Sequence, residues 1–168
     1  MDNIVLIGMP GTGKSTVGQA LAARLDYGFV DVDDLIVEAA GKTLPEILRQ
    51  DGLETFYKIE NQVGRELEWT HTVIATGGSV VYGEEAMKHL GEISVIVYLR
   101  LSYKAVKSRL HDVKGRGVVL RDGQTLHDLY VEREGLYEKY ADVTIEEDGL
   151  NVEETLEKTL QALEMLVK

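Results

Sequence analysis

Hydrophobic residues in this chain follow two alternating patterns. Short, nearly unbroken apolar runs occur from Ile4 to Ile7, Phe29 to Val32, Val73 to Ala75 and Ser94 to Leu99, with a weaker fifth from Val143 to Ile145. Runs without a polar face predict strands buried on both sides, as in a parallel sheet. Between the runs the apolar spacing changes to three and four. Val17, Ala20, Leu21 and Leu25 mark one face of a first helix; Leu156, Leu160, Leu163 and Val167 form the stripe of a last one. Thr43-Leu44-Pro45-Glu46 is a capping-box start with proline in the first turn, and Asn151-Val152-Glu153-Glu154 opens the last helix in a similar way. Another helical pattern runs from Leu126 to Tyr140. The stretch from Asp112 to Gly123 carries Gly115, Gly117 and Gly123 without a clear period, and is expected to be a mobile loop. Strand and helix in alternation predict one three-layer α/β/α domain over residues 1–168, with ligands at the carboxyl ends of the strands. There are no repeats or linkers.

The end of the first strand supplies the chemistry. Gly8-Met9-Pro10-Gly11-Thr12-Gly13-Lys14-Ser15 is a complete G-x-x-x-x-G-K-[ST] loop, placed between an apolar run and a helical pattern as a P-loop requires. Glycines such as Gly11 and Gly13 let backbone N–H groups turn inward around phosphate oxygens. Thr12 and Thr16 flank the same turn, and the helix start adds its positive dipole end. Lys14 would reach the β- and γ-phosphates, and the Ser15 hydroxyl would join the shell of a Mg²⁺ ion. ATP with Mg²⁺ is the expected co-substrate and cofactor.

The strand-end rule nominates a second group, Asp31-Val32-Asp33-Asp34. Strand alternation would put Asp31 and Asp33 on one side. Asp31 is assigned to the metal shell and Asp33 to the acceptor hydroxyl, leaving Asp34 as an N-cap. Thr76-Gly77-Gly78-Ser79 follows the third strand, where paired glycines permit close ligand approach or simply a tight turn. Arg116, in the glycine-bearing loop, suits a lid over residues 112–123 that closes on the γ-phosphate and excludes water. Arg133 could clamp an anionic acceptor, or pair with nearby Glu132, Glu134 or Glu138. His71, His89, His111 and His127 have no ligand spacing. Tyr130, Tyr137 and Tyr140 sit at packing intervals, and Trp69 is expected to cap the core.

Composition narrows the partners. A net charge of −11 argues against nucleic acid. Yet seven of the eighteen basic residues lie between Arg100 and Arg121 (Arg100, Lys104, Lys107, Arg109, Lys114, Arg116, Arg121), against one acid, Asp112. Such a basic island on an acidic chain suits a small, highly charged anion. Cysteine is absent, so there is no disulfide framework and no thiol nucleophile. No basic n-region with a cleavage site is visible, and no apolar run approaches the roughly 20 residues of a bilayer span. A cytoplasmic protein without membrane contact, and a monomer, is expected.

Taken together these residues resemble the shikimate kinase family, within the nucleoside monophosphate kinase-like group of P-loop proteins. The likeness covers nearly the whole chain. Its further members are Asp51-Gly52-Leu53-Glu54-Thr55-Phe56, Ala75-Thr76-Gly77-Gly78, Glu132-Arg133-Glu134-Gly135-Leu136-Tyr137 and Ala141-Asp142-Val143-Thr144, in family order. The resemblance implies a five-stranded parallel sheet with a lid, and transfer of the ATP γ-phosphate to a ring hydroxyl of shikimate. It implies that Arg109 packs on adenine and that Asp33 contacts shikimate hydroxyls as a candidate base. Gly77 and Gly78 would line the acceptor pocket, Arg133 would hold the carboxylate, and Arg116 would be the lid arginine. Three positions depart from the family: Tyr57, followed by Lys58, stands where an arginine binds the substrate carboxylate; Ser79 replaces a third glycine; and the lid's Arg-Pro-Leu is Arg116-Gly117-Val118. Tyr57 and Ser79 nevertheless belong to the expected acceptor site. A kinase for another hydroxylated acceptor such as gluconate, or an ATP-binding regulatory protein, stays open beside shikimate. A nucleotide acceptor is disfavoured by the scarcity of arginine between Val30 and Gly77, where only Arg49 and Arg65 occur. A GTPase would need an Asn-Lys-x-Asp motif, which the chain lacks.

Overall fold

A computed structural model describes residues 2–110 and 120–167. Five strands form one parallel sheet: β1 (Asn3–Ile7), β2 (Gly28–Asp31), β3 (Thr72–Ala75), β4 (Ser94–Arg100) and β5 (Val143–Glu146). Their order is β2-β3-β1-β4-β5. Among the described residues the helices are α1 (Lys14–Leu25), α2 (Val32–Ala40), α3 (Leu44–Gln50), α4 (Leu53–Arg65), α5 (Glu84–Ile93), α6 (Tyr103–Leu110), α7 (Leu126–Tyr140) and α8 (Val152–Val167), with a 3₁₀ turn at Val80–Tyr82.

Alternation along β1 divides the core into two layers. Ile4 and Leu6 pack with Val17, Leu21 and Leu156 beneath α1 and α8. Val5 and Ile7 pack with Ile36, Phe56, Leu90 and Tyr137 on the opposite face, under α2, α4, α5 and α7. All five residues of β1 are buried, which explains why its run carries no polar face. β2 lies at the sheet edge and is only partly covered, so its apolar run is shorter and more mixed.

Register brings the strand ends to one rim. Leu6 is level with Ala75, and Ala75 with Asp31, so the loops after β1, β2 and β3 emerge side by side. β1 has β3 on one side and β4 on the other. Connections therefore depart in opposite directions there, which opens a crevice above the carboxyl end of β1.

Both capping boxes form where the sequence places them. Thr43 and Glu46 cap α3 reciprocally, and Asn151 and Glu154 do the same for α8. Two expectations need correcting. The second apolar run ends as a strand at Asp31, and Val32 already belongs to α2. Trp69 does not cap the core; it lies in the loop after α4, 43% exposed. No helix among the described residues is long and apolar enough to cross a membrane.

Candidate active site

The loop between β1 and α1 is built around one close approach. A side chain at Gly8 would place its Cβ 2.6 Å from the Leu99 carbonyl oxygen on β4, at a φ of +151°. Only glycine fits there, so the motif's first residue is fixed by the sheet behind it. Thr12 Oγ1 donates to the Met9 carbonyl at 3.0 Å and pins the turn. The buried Lys14 folds back, its Nζ donating to the carbonyls of Gly8 and Met9 at 2.7 and 2.9 Å. Burial lowers its pKa from 10.5 to about 8. Ser15 follows in the first turn of α1, with Thr16 exposed beside it.

Asp31 joins two elements of the site. One carboxylate oxygen accepts from Ser15 Oγ at 2.8 Å; the other accepts from the Asp33 backbone N–H at 3.0 Å and so caps α2. The N-cap is therefore Asp31, not Asp34, which is exposed in the first turn of α2. Asp31 and Asp33 are brought together by this Asx-type cap rather than by strand alternation. The reason is local: an aspartate at the end of a strand satisfies orphan helix N–H groups as soon as the chain turns.

Asp33 faces the turn after β3. A Cβ on Gly77 would sit 3.0 Å from Asp33 Oδ1 and 3.2 Å from Glu60 Oε2, so two carboxyl groups close on one point. Glu60, on α4, is 2% exposed; its Oε1 accepts from Ser79 Oγ at 2.6 Å and its Oε2 has no partner among the described residues. Burial and the charge of Asp31 push the Asp33 carboxyl up from 3.8 to about 6. Burial pushes Glu60 from 4.5 to about 7, with Asp33 adding to the rise.

The opposite wall is basic and aromatic. Arg133 on α7 is 3% exposed, so pairing with its helical glutamates is ruled out as its main role. Its Cζ lies 5.4 Å from the Tyr82 ring centroid and its Nε reaches the Tyr82 hydroxyl at 3.4 Å. Its Nη1 would be 2.9 Å from a Cβ on Gly78, and Pro10 Cδ 2.8 Å from the same point. Glycine at 78 thus lets the phosphate loop, the third strand's turn and Arg133 meet. The buried Tyr137 locks this meeting by donating its hydroxyl to the Gly78 carbonyl at 2.6 Å. Tyr57, half-buried on α4, lies against Tyr82 with ring centroids 5.1 Å apart, whereas Lys58 is exposed.

This rim places a phosphate loop, two convergent carboxyls and a buried guanidinium around one crevice. Residues 10–164 match the family model described as shikimate kinase. The chain belongs to the shikimate kinase family. A shikimate kinase from Thermodesulfovibrio yellowstonii is 39% identical, the match covering 99% of this chain and 97% of that protein. The crystallised shikimate kinase of Acinetobacter baumannii in complex with shikimate superposes with a TM-score of 0.85 at 30% identity, over 99% of this chain and 93% of that one. The enzyme from Aquifex aeolicus gives 0.82 at 32% identity, over 96% of each chain.

Against this shikimate kinase frame, Gly11, Thr12, Gly13, Lys14, Ser15, Thr16, Asp31, Asp33, Tyr57, Gly77, Gly78, Ser79 and Arg133 all lie along the rim. Arg109 does too, through its Nη1 bond to the Gly11 carbonyl at 2.8 Å. Arg116 and most of the 112–123 stretch lie outside the described residues. Part of the basic island is already neutralised, because Arg100 is bound by Glu134 at 3.2 Å and Glu146 at 2.9 Å. Those acids are distant in sequence, so a count of local charge cannot see them.

Sequence reasoning missed Glu60 and Tyr82, and read Tyr137 as a packing residue, which it is, without its bond to Gly78. It also missed Glu147, buried after β5, whose carboxyl is pushed up to about 7 by burial against the opposing pull of Arg109 and Lys14. A lone glutamate on a helix gives no signal of burial; its i+4 spacing from Phe56 was the available hint.

Glu60 carries a stability prediction. Between the unfolded value near 4.5 and the folded value of about 7, the folded chain holds a proton that the unfolded chain has released. Stability from this group is therefore full below pH 4.5 and falls as pH rises through 7. Glu60→Gln keeps the acceptor for Ser79 and removes the charge. The variant should melt about 3 °C or more above wild type at pH 8, with the difference vanishing once the pH falls below 4.5. Thermal melts at both values check it; a shift independent of pH would refute the titration.

Proposed function

We propose that this protein transfers the γ-phosphoryl group of ATP to a ring hydroxyl of shikimate, giving shikimate 3-phosphate for aromatic amino-acid biosynthesis. What carries the reading is the convergence of the phosphate loop, Asp33 and Arg133 on one crevice, in a chain whose relatives at 31–39% identity are shikimate kinases. Loop amides from Gly11 to Ser15 bind the phosphates, and Arg109, which donates to the Gly11 carbonyl, packs on the adenine. Lys14 exchanges two neutral carbonyls for charged phosphate oxygens. Arg133 takes the acceptor carboxylate, bidentate by preference. Gly77 and Gly78 let the ring approach the backbone. The Asp33 carboxylate then orients the attacking hydroxyl and accepts its proton. Arg116 is assigned to the transferring group by its place in the chain.

The oxygens of Ser15 and Asp31, 2.8 Å apart, are hard donors at the mouth of the loop. No cluster of three or more acidic or histidine side chains that could hold a metal occurs among the described residues. The Ser15 and Asp31 oxygens suit Mg²⁺, which takes one or two protein ligands and completes its shell with phosphate and water. Bound there, the ion would neutralise phosphate charge. The partners are ATP and a small hydroxylated acid, in the cytoplasm, and the chain acts as a single unit.

A coupled assay with ATP, Mg²⁺ and shikimate tests the reading, with gluconate and a nucleoside monophosphate as alternative acceptors. Turnover confined to shikimate is expected. ATP binding without shikimate turnover overturns it, and would favour a regulatory protein.

A further inference from the structure

A second arginine, Arg121, which neither motif nor spacing singles out, lies against the aromatic pair of α4 and the 3₁₀ turn. Tyr57 and Tyr82 lie against each other at 5.1 Å with their planes tilted by 38°. Arg133 covers the outer side of Tyr82 at 5.4 Å. Arg121 covers Tyr57, its Cζ 6.0 Å from the ring centroid. Four separated stretches thus form one layered group: α7, the 3₁₀ turn, α4 and the turn before α7.

Arg121 is placed to bind rather than to brace. Its backbone N–H is held by the Gln124 side chain at 3.2 Å, which fixes where the side chain starts. Its only ion-pair partner among the described residues is Glu54 at 3.3 Å, and the two side chains are 51% and 74% exposed. Such an open pair is screened and weakly held. Resting on an aromatic face occupies the plane of a guanidinium but leaves its N–H edge free for a carboxylate. Tyr57 itself is one helical turn before Glu60, so Arg121 stands on the side of α4 that faces the acceptor. The inner wall there is acidic, with Asp33 and Glu60 both at Gly77. A carboxylate is repelled from that wall and drawn to the arginine side of the crevice.

We propose that Arg121, carried on the Tyr57 ring, is a specificity residue that joins Arg133 in binding the acceptor's carboxylate, from the mouth of the crevice. This rests on the reading of shikimate as acceptor. Tyr57 then acts as the platform for a cation supplied from another segment.

Steady-state kinetics of wild type, Arg121→Ala and Arg121→Lys with shikimate and with its uncharged carboxamide analogue test this. Arg121→Ala should raise the KM for shikimate about 10- to 100-fold, as expected for a lost charge-assisted contact. The KM for ATP should stay within about twofold. The carboxamide KM should be indifferent to residue 121, and Arg121→Lys should recover only part of the loss, because a point charge cannot replace the fork. An unchanged shikimate KM in Arg121→Ala, or an equal rise for the carboxamide, overturns the assignment while leaving the kinase reading intact. No wild-type turnover of shikimate overturns both. Because Arg121 is exposed, melting temperatures should match and exclude a folding defect.

Discussion

Lys14→Ala lowers kcat by at least about 10²- to 10³-fold while the protein remains folded. The side chain is the single buried cation inside the phosphate loop, 8% exposed and directed at the loop's own carbonyls. In a water-excluded site such a preformed charge is worth far more to a developing phosphoryl charge than it would be in solvent. Phosphoryl transfer depends almost wholly on such positioning and electrostatics, so nothing nearby substitutes for it. The fold depends on it less, because a desolvated ammonium with a pKa lowered to about 8 stabilises little. The same lowering gives an independent readout. About one unit above that value Lys14 is largely neutral, and phosphate oxygens beside it raise its pKa again. ATP binding should then draw a proton from the buffer, visible by calorimetry in buffers of different ionisation enthalpy and absent in Lys14→Ala. A variant with wild-type kcat, or the same proton uptake in both proteins, would contradict the role of Lys14.

What could be read from the chain follows the range of the interactions that fix it. The strands and the phosphate loop were legible because burial on both faces and the demand for glycine act on a few consecutive residues. Even the close approach at Gly8, made to Leu99 on a distant strand, leaves its mark in the local motif. The capping boxes were legible for the same reason. The switch from β2 to α2 was misjudged by one residue, since Asp31 can finish a strand and cap a helix at once. Long-range pairing is where reading stopped. Nothing around Glu60 announces that Ser79, nineteen positions on, will hold it in the core. The sequence surroundings of Arg133 and Arg100 mislead in opposite senses, since Arg133 is flanked by Glu132 and Glu134 and Arg100 has no acid close by. Arg133 lies buried against Tyr82 and Gly78, and Arg100 is neutralised by Glu134 and Glu146. Only resemblance to a family separated them beforehand.

The Tyr57 and Ser79 departures belong to that unreadable class, and the structure links them physically. Serine at 79 gives the buried Glu60 a hydrogen-bond donor at 2.6 Å, where a glycine would leave both of its oxygens without a partner. Tyrosine at 57 supplies a ring for Arg121 and a partner for Tyr82. One side of α4 is thereby repacked with its polar groups largely satisfied.

Asp33→Asn should lower kcat by about 10²- to 10⁴-fold, the range for removing a positioned general base. The carboxyl is placed for the role by burial on the acceptor side and by Asp31, which together push it to about 6, against the opposing charge of Lys14. The base form exists above that value, so wild-type kcat/KM should rise tenfold per pH unit below 6 and level off above it. Glu60, at about 7 and closing on the same point at Gly77, titrates in company with it; the observed limb belongs to the pair. Two variants separate them. Glu60→Gln should leave one clean limb near pH 6, because Asp33 is raised by burial and by Asp31, and Glu60 is already protonated where Asp33 titrates. Asp33→Asn should abolish the limb along with the rate. The amide costs the fold nothing at this position, since the α2 cap uses the Asp33 backbone N–H and not its side chain. Removing a carboxyl that burial holds above its ordinary value should instead raise the melting temperature above pH 6, where the wild-type group is charged. An asparagine variant that keeps its rate within tenfold, or retains the acid limb unchanged, would exclude Asp33 as the group that takes the hydroxyl proton.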